Sequence, residues 1–167
     1  MPESDASRPQ RILVIVGSQK PAARAQVRQL LRAPGGERLS LAEPARPLKQ
    51  SWALLAAPPL GPESSPRAAM ADFLARRAAE THALTPIAGW IVVGGETATA
   101  VLAALEARES EAAGQLFSGA PLNRLLTGRA AGALFAVQPG DRGRGDRLWR
   151  LIQALGERLR PPGDAAP

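Results

Sequence analysis

The sequence has no cysteine and no tyrosine, and its single histidine is His82. The lack of cysteine excludes disulfides, thiolate metal sites and a cysteine nucleophile. A lone histidine without clustered carboxylates does not make a metal site, and no G-x-S-x-G segment accompanies it as a hydrolase would require. We therefore expect His82 to be a surface or helix-end residue, and we expect no metal site built from protein side chains.

Aromatic residues are also scarce, at 4% of the chain, whereas hydrophobic residues make up 45%. The 167 residues suffice for one domain, whose core must be built from alanine, leucine and valine. Because no apolar run approaches the length of a membrane span and residues 1–10 do not resemble a secretory signal, we expect a cytoplasmic protein. We predict disordered tails at 1–10 and 160–167 around a folded domain at 11–159.

Lysine is nearly absent, and the formal charge of +6 comes almost wholly from arginine. Such an excess can attract nucleic acid. The arginines, however, are scattered among acidic residues, and no helix-turn-helix, zinc finger or aromatic stacking platform is evident. A solvated surface is the favoured interpretation, and we do not expect a nucleic-acid partner.

What the sequence does contain is an alternation of apolar strands and amphipathic helices. The predicted strands lie at 12–16, 37–42, 51–57, 87–93, near 115–118 and at 133–137. The predicted helices lie at 21–33, 65–84, 96–108 and 145–159, with Ser65 as N-cap and Pro66 as first residue of the second. This order predicts an α/β fold, a Rossmann-like single domain of three αβα layers with a mostly parallel sheet.

Ligands of such sheets bind beyond the carboxyl ends of the strands, so the loops there are the candidate sites. The first loop, "VGSQKPAARAQ", places Gly17 directly after a strand and offers the hydroxyl and N–H of Ser18 to an anion. A plain turn with Ser18 near a helix start explains the same residues equally well. The segment is not a P-loop, because the G-x-x-x-x-G-K-S/T pattern is absent.

The second loop, "GGET", ends the apolar strand at 87–93 and begins a helix at once. Gly94 and Gly95 let the backbone approach a ligand closely, the helix start favours an anion, and Thr97 adds a hydroxyl. Glu96 is compatible with a phosphate only if it turns away, bonds a ribose or holds Mg²⁺ through water. A tight strand-to-helix turn without any ligand is the alternative.

The third loop, "VQPGDRGRGD", carries three glycines in six residues before the last helix. Arg142 and Arg144 lie within it and Arg147 directly after it, so they are candidate counter-charges for phosphate. A mobile surface loop with solvated charges is the alternative.

Four segments in this order resemble a known family. They are "ILVIVGSQKPAARAQVRQL", "GWIVVGGETATAVLAAL", "GQLFSGAPLNRLLTG" and "LFAVQPGDRGRGDRLWRL". Together they are similar to the C-terminal nucleotide-binding domain of the four-carbon acid sugar kinases, over roughly residues 11–155. That family has G-S after the first strand, G-G-D/E-T after a later one, a P-G-V/I-P-type turn, and K-S/A-G-G/N-F-G before the last helix.

The resemblance implies that ATP, with Mg²⁺, is the ligand. It implies ATP contacts for Ser18, Gly94, Gly95, Glu96, Thr97 and Gly140, matches Gly119 and Pro121 to the turn, and assigns no catalytic residue. The chain departs from the family at Gln115, where an acid is usual, and at Gln138, where a lysine is usual. It also has Asp141-Arg142 in place of the aromatic segment. Losing the lysine removes a charged contact of roughly 1.5–3 kcal/mol, which Arg142 or Arg144 would have to replace.

In the family, a large N-terminal domain helps to bind the four-carbon acid, and the sequence shows no counterpart of it. Phosphoryl transfer requires the acceptor and ATP to be held in line. The resemblance therefore implies a kinase domain that is inactive by itself and works with an acceptor domain on another chain or in a homo-oligomer. The alternative is a non-catalytic ligand-binding or partner-interaction module derived from the same fold.

Overall fold

The structure, a computed structural model, describes residues 9–59, 67–117 and 119–163. In these ranges the strands are β1 (Arg11–Val16), β2 (Gly36–Arg38), β3 (Trp52–Ala56), β4 (Ile87–Val93), β5 (Ser110–Gln115), β6 (Pro121–Leu125) and β7 (Leu134–Gln138). The helices are α1 (Pro21–Leu30), α2 (Arg67–Leu84), α3 (Gly95–Ala104) and α4 (Arg147–Leu159).

All of these strands form one sheet in the order β2-β3-β1-β4-β7-β6-β5. The pairs β2–β3, β3–β1, β1–β4 and β4–β7 are parallel, whereas β6 is antiparallel to both β7 and β5. The central strands β1, β3 and β4 are almost fully buried, which explains their continuous apolar sequences. The predicted α/β fold with a mostly parallel sheet is confirmed.

Helices cover both faces of the sheet. Alternate residues of β1 point to opposite faces, so Leu13 and Ile15 join one core with α2 and α3. Val14 joins the second core with α1 and α4. Trp90 and Phe135 stack in the first core with their ring centroids 6.4 Å apart. This arrangement is the predicted three-layer αβα architecture.

The connections out of the two central strands run in opposite directions. From β1 the chain passes through α1 to β2 at one edge, and from β4 it passes through α3 to β5 at the other. The loops that follow β1 and β4 therefore separate, and they leave a crevice at the carboxyl end of the sheet where this type of fold binds its ligands.

Several predicted boundaries are wrong. The strand predicted at 37–42 is limited to Gly36–Arg38, and helix 21–33 ends at Leu30. Helix 96–108 ends at Ala104, because Glu106 adopts a left-handed backbone with φ of 57° that stops the helix. The last helix begins at Arg147, not at 145. The predicted cap at 65–66 lies outside the described residues.

The strand predicted near 115–118 is also wrong, because two strands flank that segment. They form the hairpin β5–β6 at the edge of the sheet, with an irregular register between Ala112 and Gln115. Arg158 of α4 reaches this edge strand and donates hydrogen bonds to the carbonyls of Ala113 (3.2 Å) and Gln115 (3.0 Å). A side chain of the last helix therefore fixes the edge strand.

His82 lies in the last turn of α2, where the sequence places it. Its Nδ1 accepts a 2.9 Å hydrogen bond from the N–H of Ile87, so Nε2 carries the proton and donates to the Arg129 carbonyl at 3.0 Å. The ring thus joins α2 to the start of β4 as a structural residue. The predicted tails lie largely outside the described residues, and the boundaries of the domain stay a prediction. Among the described residues no helix is both long and apolar enough to cross a membrane.

Candidate functional site

The three glycine-containing loops meet in one cleft of about 310 Å³ beyond the carboxyl ends of β1, β4 and β7. Its volume is at the lower end of the range of small-molecule sites. The lining residues are Gly17, Ser18, Gln19, Lys20, Arg67, Gly94, Gly95, Glu96, Thr97, Pro139 and Gly140. The fold therefore brings together all six residues that the resemblance implicates.

Glycine at position 17 is what allows the first and second loops to touch. A methyl group on Gly17 would overlap the Oγ1 of Thr97, which is itself 4% exposed. The N–H of Gly17 donates to the Val93 carbonyl at 3.2 Å, so the first loop is also tied to the end of β4. Any larger residue at position 17 would push these loops apart.

The third loop touches the first in a similar way. A methyl group on Gly140 would overlap the Oγ of Ser18 and lie 2.5 Å from its Cβ. The N–H of Gly94 donates to the Gln138 carbonyl at 3.0 Å, which ties the second loop to the end of β7. The three loops therefore form one packed unit.

The second loop begins α3 and leaves its first turn open. Gly94, the N-cap, has a left-handed φ of 110° and provides no side-chain cap. The N–H groups of a helix's first turn have no partner within the helix, and together with the helix dipole they attract anions. A Cβ on Gly95 would meet nothing within 4 Å. The start of α3 thus offers free space beside uncapped N–H groups, the arrangement found where helices bind phosphate.

A second helix also begins at the cleft. Lys20 is the N-cap of α1, with an extended ψ of 146°, and Pro21 occupies the first helical turn. The N–H of Lys20 donates to the Oγ of Ser18 at 3.3 Å. The N-caps of α1 and α3 both line the cleft, so both helix dipoles favour negative charge there.

The charged side chains of the cleft are few. Among the described lining residues, Lys20 and Arg67 are cationic and Glu96 is the one acid. Among the described residues no three or more histidine, cysteine, aspartate or glutamate side chains form a group that could hold a metal ion. Mg²⁺ therefore fits this cleft only if phosphate oxygens and water supply most of its ligands, with Glu96 adding one carboxylate.

Gln138 does not occupy the position of a phosphate-binding lysine. Its side chain is 1% exposed, donates to the Oε1 of Gln26 at 2.8 Å and accepts a hydrogen bond from the Nε of Arg147. Gln26 in turn donates to the Arg142 carbonyl at 2.8 Å. These side chains form a buried network that supports the third loop from beneath.

The arginines of the third loop do not line the cleft. Arg147 and Arg150 lie over the Phe117 ring at 4.9 and 5.1 Å from its centroid, and Arg147 also donates to the Gly119 carbonyl at 3.3 Å. Burial lowers the pKa of Arg147, and the nearby charges of Arg150 and Arg142 lower it further. The charge of Arg142 therefore acts on Arg147, and Arg142 is not among the residues that line the cleft.

Lys20 and Arg67 are cleft residues that the sequence analysis did not identify. Lys20 stands two positions after Ser18 in the first loop, so its place in the sequence was a usable signal. Arg67 begins α2, the helix that follows β3. No pattern in the sequence connects it with the three glycine-containing loops. Its position is known only from the packing of the helices.

The middle of the chain matches a known family, and one curated protein is similar to it. Residues 53–148 match the family described as a nucleotide-binding C-terminal domain. The D-threonate kinase of Bordetella bronchiseptica is 38% identical over 103 residues. Those residues are 59% of this chain and 25% of the kinase, so the match spans about a quarter of its curated relative.

Two solved structures show the same fold. One is a domain of unknown function from Bordetella bronchiseptica, crystallised with citrate as a domain-swapped dimer. It has a TM-score of 0.78 and 30% identity, over 89% of this chain and 41% of that one. The other is a Haemophilus influenzae protein with a TM-score of 0.61 and 14% identity, over 95% of this chain and 43% of that one; it supports the fold only.

Proposed function

This chain belongs to the nucleotide-binding C-terminal domain family of the four-carbon acid sugar kinases, and we propose that its cleft binds ATP for phosphoryl transfer to a sugar acid. The observation that carries the proposal is the open first turn of α3, where uncapped N–H groups adjoin the free space at Gly95. A polyphosphate is a suitable ligand for such a turn, because its oxygens accept hydrogen bonds from backbone N–H groups and its charge is favoured by the dipole.

Each predicted site residue has a role in this proposal. Ser18 and Thr97 offer hydroxyls to phosphate oxygens, while Gly94 and Gly140 let the backbone of two loops come close to the ligand. In this proposal Glu96 would bind Mg²⁺ that arrives with the nucleotide, directly or through water. When bound, the metal ion would neutralise charge on the phosphates during transfer.

We further propose that the acceptor is held elsewhere. The relatives of this chain are longer than the part it matches, and the described cleft, at about 310 Å³, is at the lower end of the range of small-molecule sites. In-line transfer needs a donor and an acceptor in one closed site. We therefore propose that an acceptor domain outside the described residues completes the site, on another chain, in a second copy or elsewhere in a longer protein, and we expect negligible transfer from ATP by these 167 residues alone.

Calorimetric titration with ATP, with and without Mg²⁺, tests the proposal when two leucine variants are compared. Gly95→Leu fills the free space at the first turn of α3, and Gly156→Leu is the matched control in α4. A Cβ at either position meets nothing within 4 Å, and both glycines are helical, so both variants should fold. We expect Gly95→Leu to weaken ATP binding by about 100-fold or more, which corresponds to roughly 2.7 kcal/mol. Gly156→Leu should bind like the wild type.

Two results would contradict the nucleotide proposal. One is the absence of saturable binding by the folded wild type at millimolar ATP. The other is equal binding by Gly95→Leu, which would place the nucleotide outside this cleft. Either result would favour the alternative, a non-catalytic ligand-binding or partner-interaction module.

A further inference from the structure

The cations that can reach a ligand in the cleft come from the first loop and from α2, not from the third loop. Lys20 and Arg67 line the cleft, whereas Arg142 and Arg144 do not. ATP carries several negative charges, and the described lining has only one net positive charge after Glu96 is counted. Each cation of the cleft therefore matters for phosphate binding.

Lys20 is held between the first and third loops. Its Nζ lies 3.4 Å from the Oδ2 of Asp141, and its side chain passes beside Gly140, with Cδ 3.9 Å from the position of a Cβ there. Both side chains of this ion pair are more than half exposed. Exposed pairs of this kind contribute little to stability, so Lys20 can change partners readily.

We propose that Lys20 is the principal phosphate-binding cation of the cleft and that Asp141 competes with the ligand for it. This inference rests on the proposed nucleotide function only for the identity of the ligand, since any polyphosphate in the cleft would meet the same ammonium group. Without a bound ligand Asp141 neutralises Lys20. When phosphate binds, Lys20 exchanges the single carboxylate for phosphate oxygens, which carry more charge.

Substitutions of Lys20 and of Asp141 should therefore change the affinity for Mg-ATP in opposite directions. Lys20→Met removes a charged hydrogen bond and should weaken binding of Mg-ATP by about 10- to 100-fold. Asp141→Asn frees Lys20 and removes a negative charge near the cleft, so it should tighten binding by about 2- to 5-fold. Lys20→Arg keeps the cation and should retain most of the affinity.

Arg144→Gln is the matched control, because it removes one positive charge from the third loop without touching the cleft lining. At about 0.15 M salt, where distant surface charges are screened, we expect it to stay within twofold of the wild type. Thermal unfolding of every variant would establish that affinities are compared between folded proteins.

Inorganic tripolyphosphate serves as a second probe and separates this inference from the nucleotide proposal. If tripolyphosphate binds and Lys20→Met weakens it while ATP does not bind, the inference stands and the nucleotide proposal fails. If ATP binds but Lys20→Met and Arg144→Gln have equal affinity, the inference is overturned and the nucleotide proposal stands. If neither probe binds the folded wild type, both are overturned.

Discussion

The contact between Ser18 and Gly140 can be tested by adding one methyl group. In Gly140→Ala the new carbon would lie 2.5 Å from the Cβ of Ser18, whereas carbon atoms in contact are about 3.5–4.0 Å apart. The two loops must then separate by roughly 1 to 1.5 Å. Overpacking of this kind costs about 1–3 kcal/mol. We expect Gly140→Ala to lower the free energy of unfolding by that amount.

A second substitution should reverse the loss. Ser18→Gly removes both atoms that the methyl group would strike, and the next neighbour is the Lys20 Cδ at 3.9 Å, an ordinary contact. Gly140→Ala should therefore cost almost nothing in a Ser18→Gly background. Ser18→Ala should relieve the clash only in part, since it removes Oγ and keeps Cβ.

Urea unfolding followed by tryptophan fluorescence measures these differences, because the fully buried Trp90 becomes exposed to water as the core opens. The coupling energy between positions 18 and 140 should equal most of the cost of Gly140→Ala. Additive effects of the two substitutions, with no rescue, would refute the packing of the first loop against the third.

Three other predictions concern contacts that stabilise the domain. Burial by itself raises the pKa of Glu37, but hydrogen bonds from Arg46 and two backbone N–H groups outweigh it and hold the pKa below the usual value of a glutamate. The stability that Glu37 provides is therefore complete above the pKa of the unfolded chain and is lost as the pH falls through the lower pKa of the folded protein; Glu37→Gln should cost about 1.5–3 kcal/mol at pH 7 in urea unfolding and less in acid. Gln138→Lys should destabilise the protein by about 3 kcal/mol or more without improving ATP affinity in calorimetry, because it buries a cation beside Arg147. Gly89→Val should cost about 1–3 kcal/mol, seen as a Tm lower by several degrees, because α4 leucines lie within 3 Å of the added Cβ.

The sequence predicts the centre of the sheet well because strands buried on both faces have continuous apolar sequences. The segments that became β1, β4 and β7 are continuous apolar runs, and the cleft lies where each of them ends. Their loops could be grouped into one site by the general rule for parallel sheets. That rule depends on topology and not on any single contact.

The hairpin β5–β6 has no such pattern in its sequence. β5, Ser110–Gln115, is mostly exposed and made of small and polar residues, so it has no apolar alternation. Its pairing partner β6 and the guanidinium of Arg158 hold it in place. Contacts made by residues more than forty positions away cannot be read from a local pattern.

The place of Gln138 shows the limit of a resemblance at the level of single residues. Matching the third loop to the family suggests that the side chain at position 138 contacts phosphate. The side chain instead turns into the protein because Gln26, which is 112 positions earlier, provides an amide partner. Which of the cations faces the cleft is likewise decided by the tertiary structure.

The hydrogen bonds from Arg158 to β5 also affect how the molecule behaves in solution. An edge strand can template the addition of a strand from another molecule, which is a common first step towards aggregation. Two acceptors of β5 are already occupied by a guanidinium group, and the irregular register at Ala112 distorts the strand further. A strand that used these two carbonyls would have to displace both hydrogen bonds. One arginine on the last helix thus makes the addition of a strand at this edge less favourable.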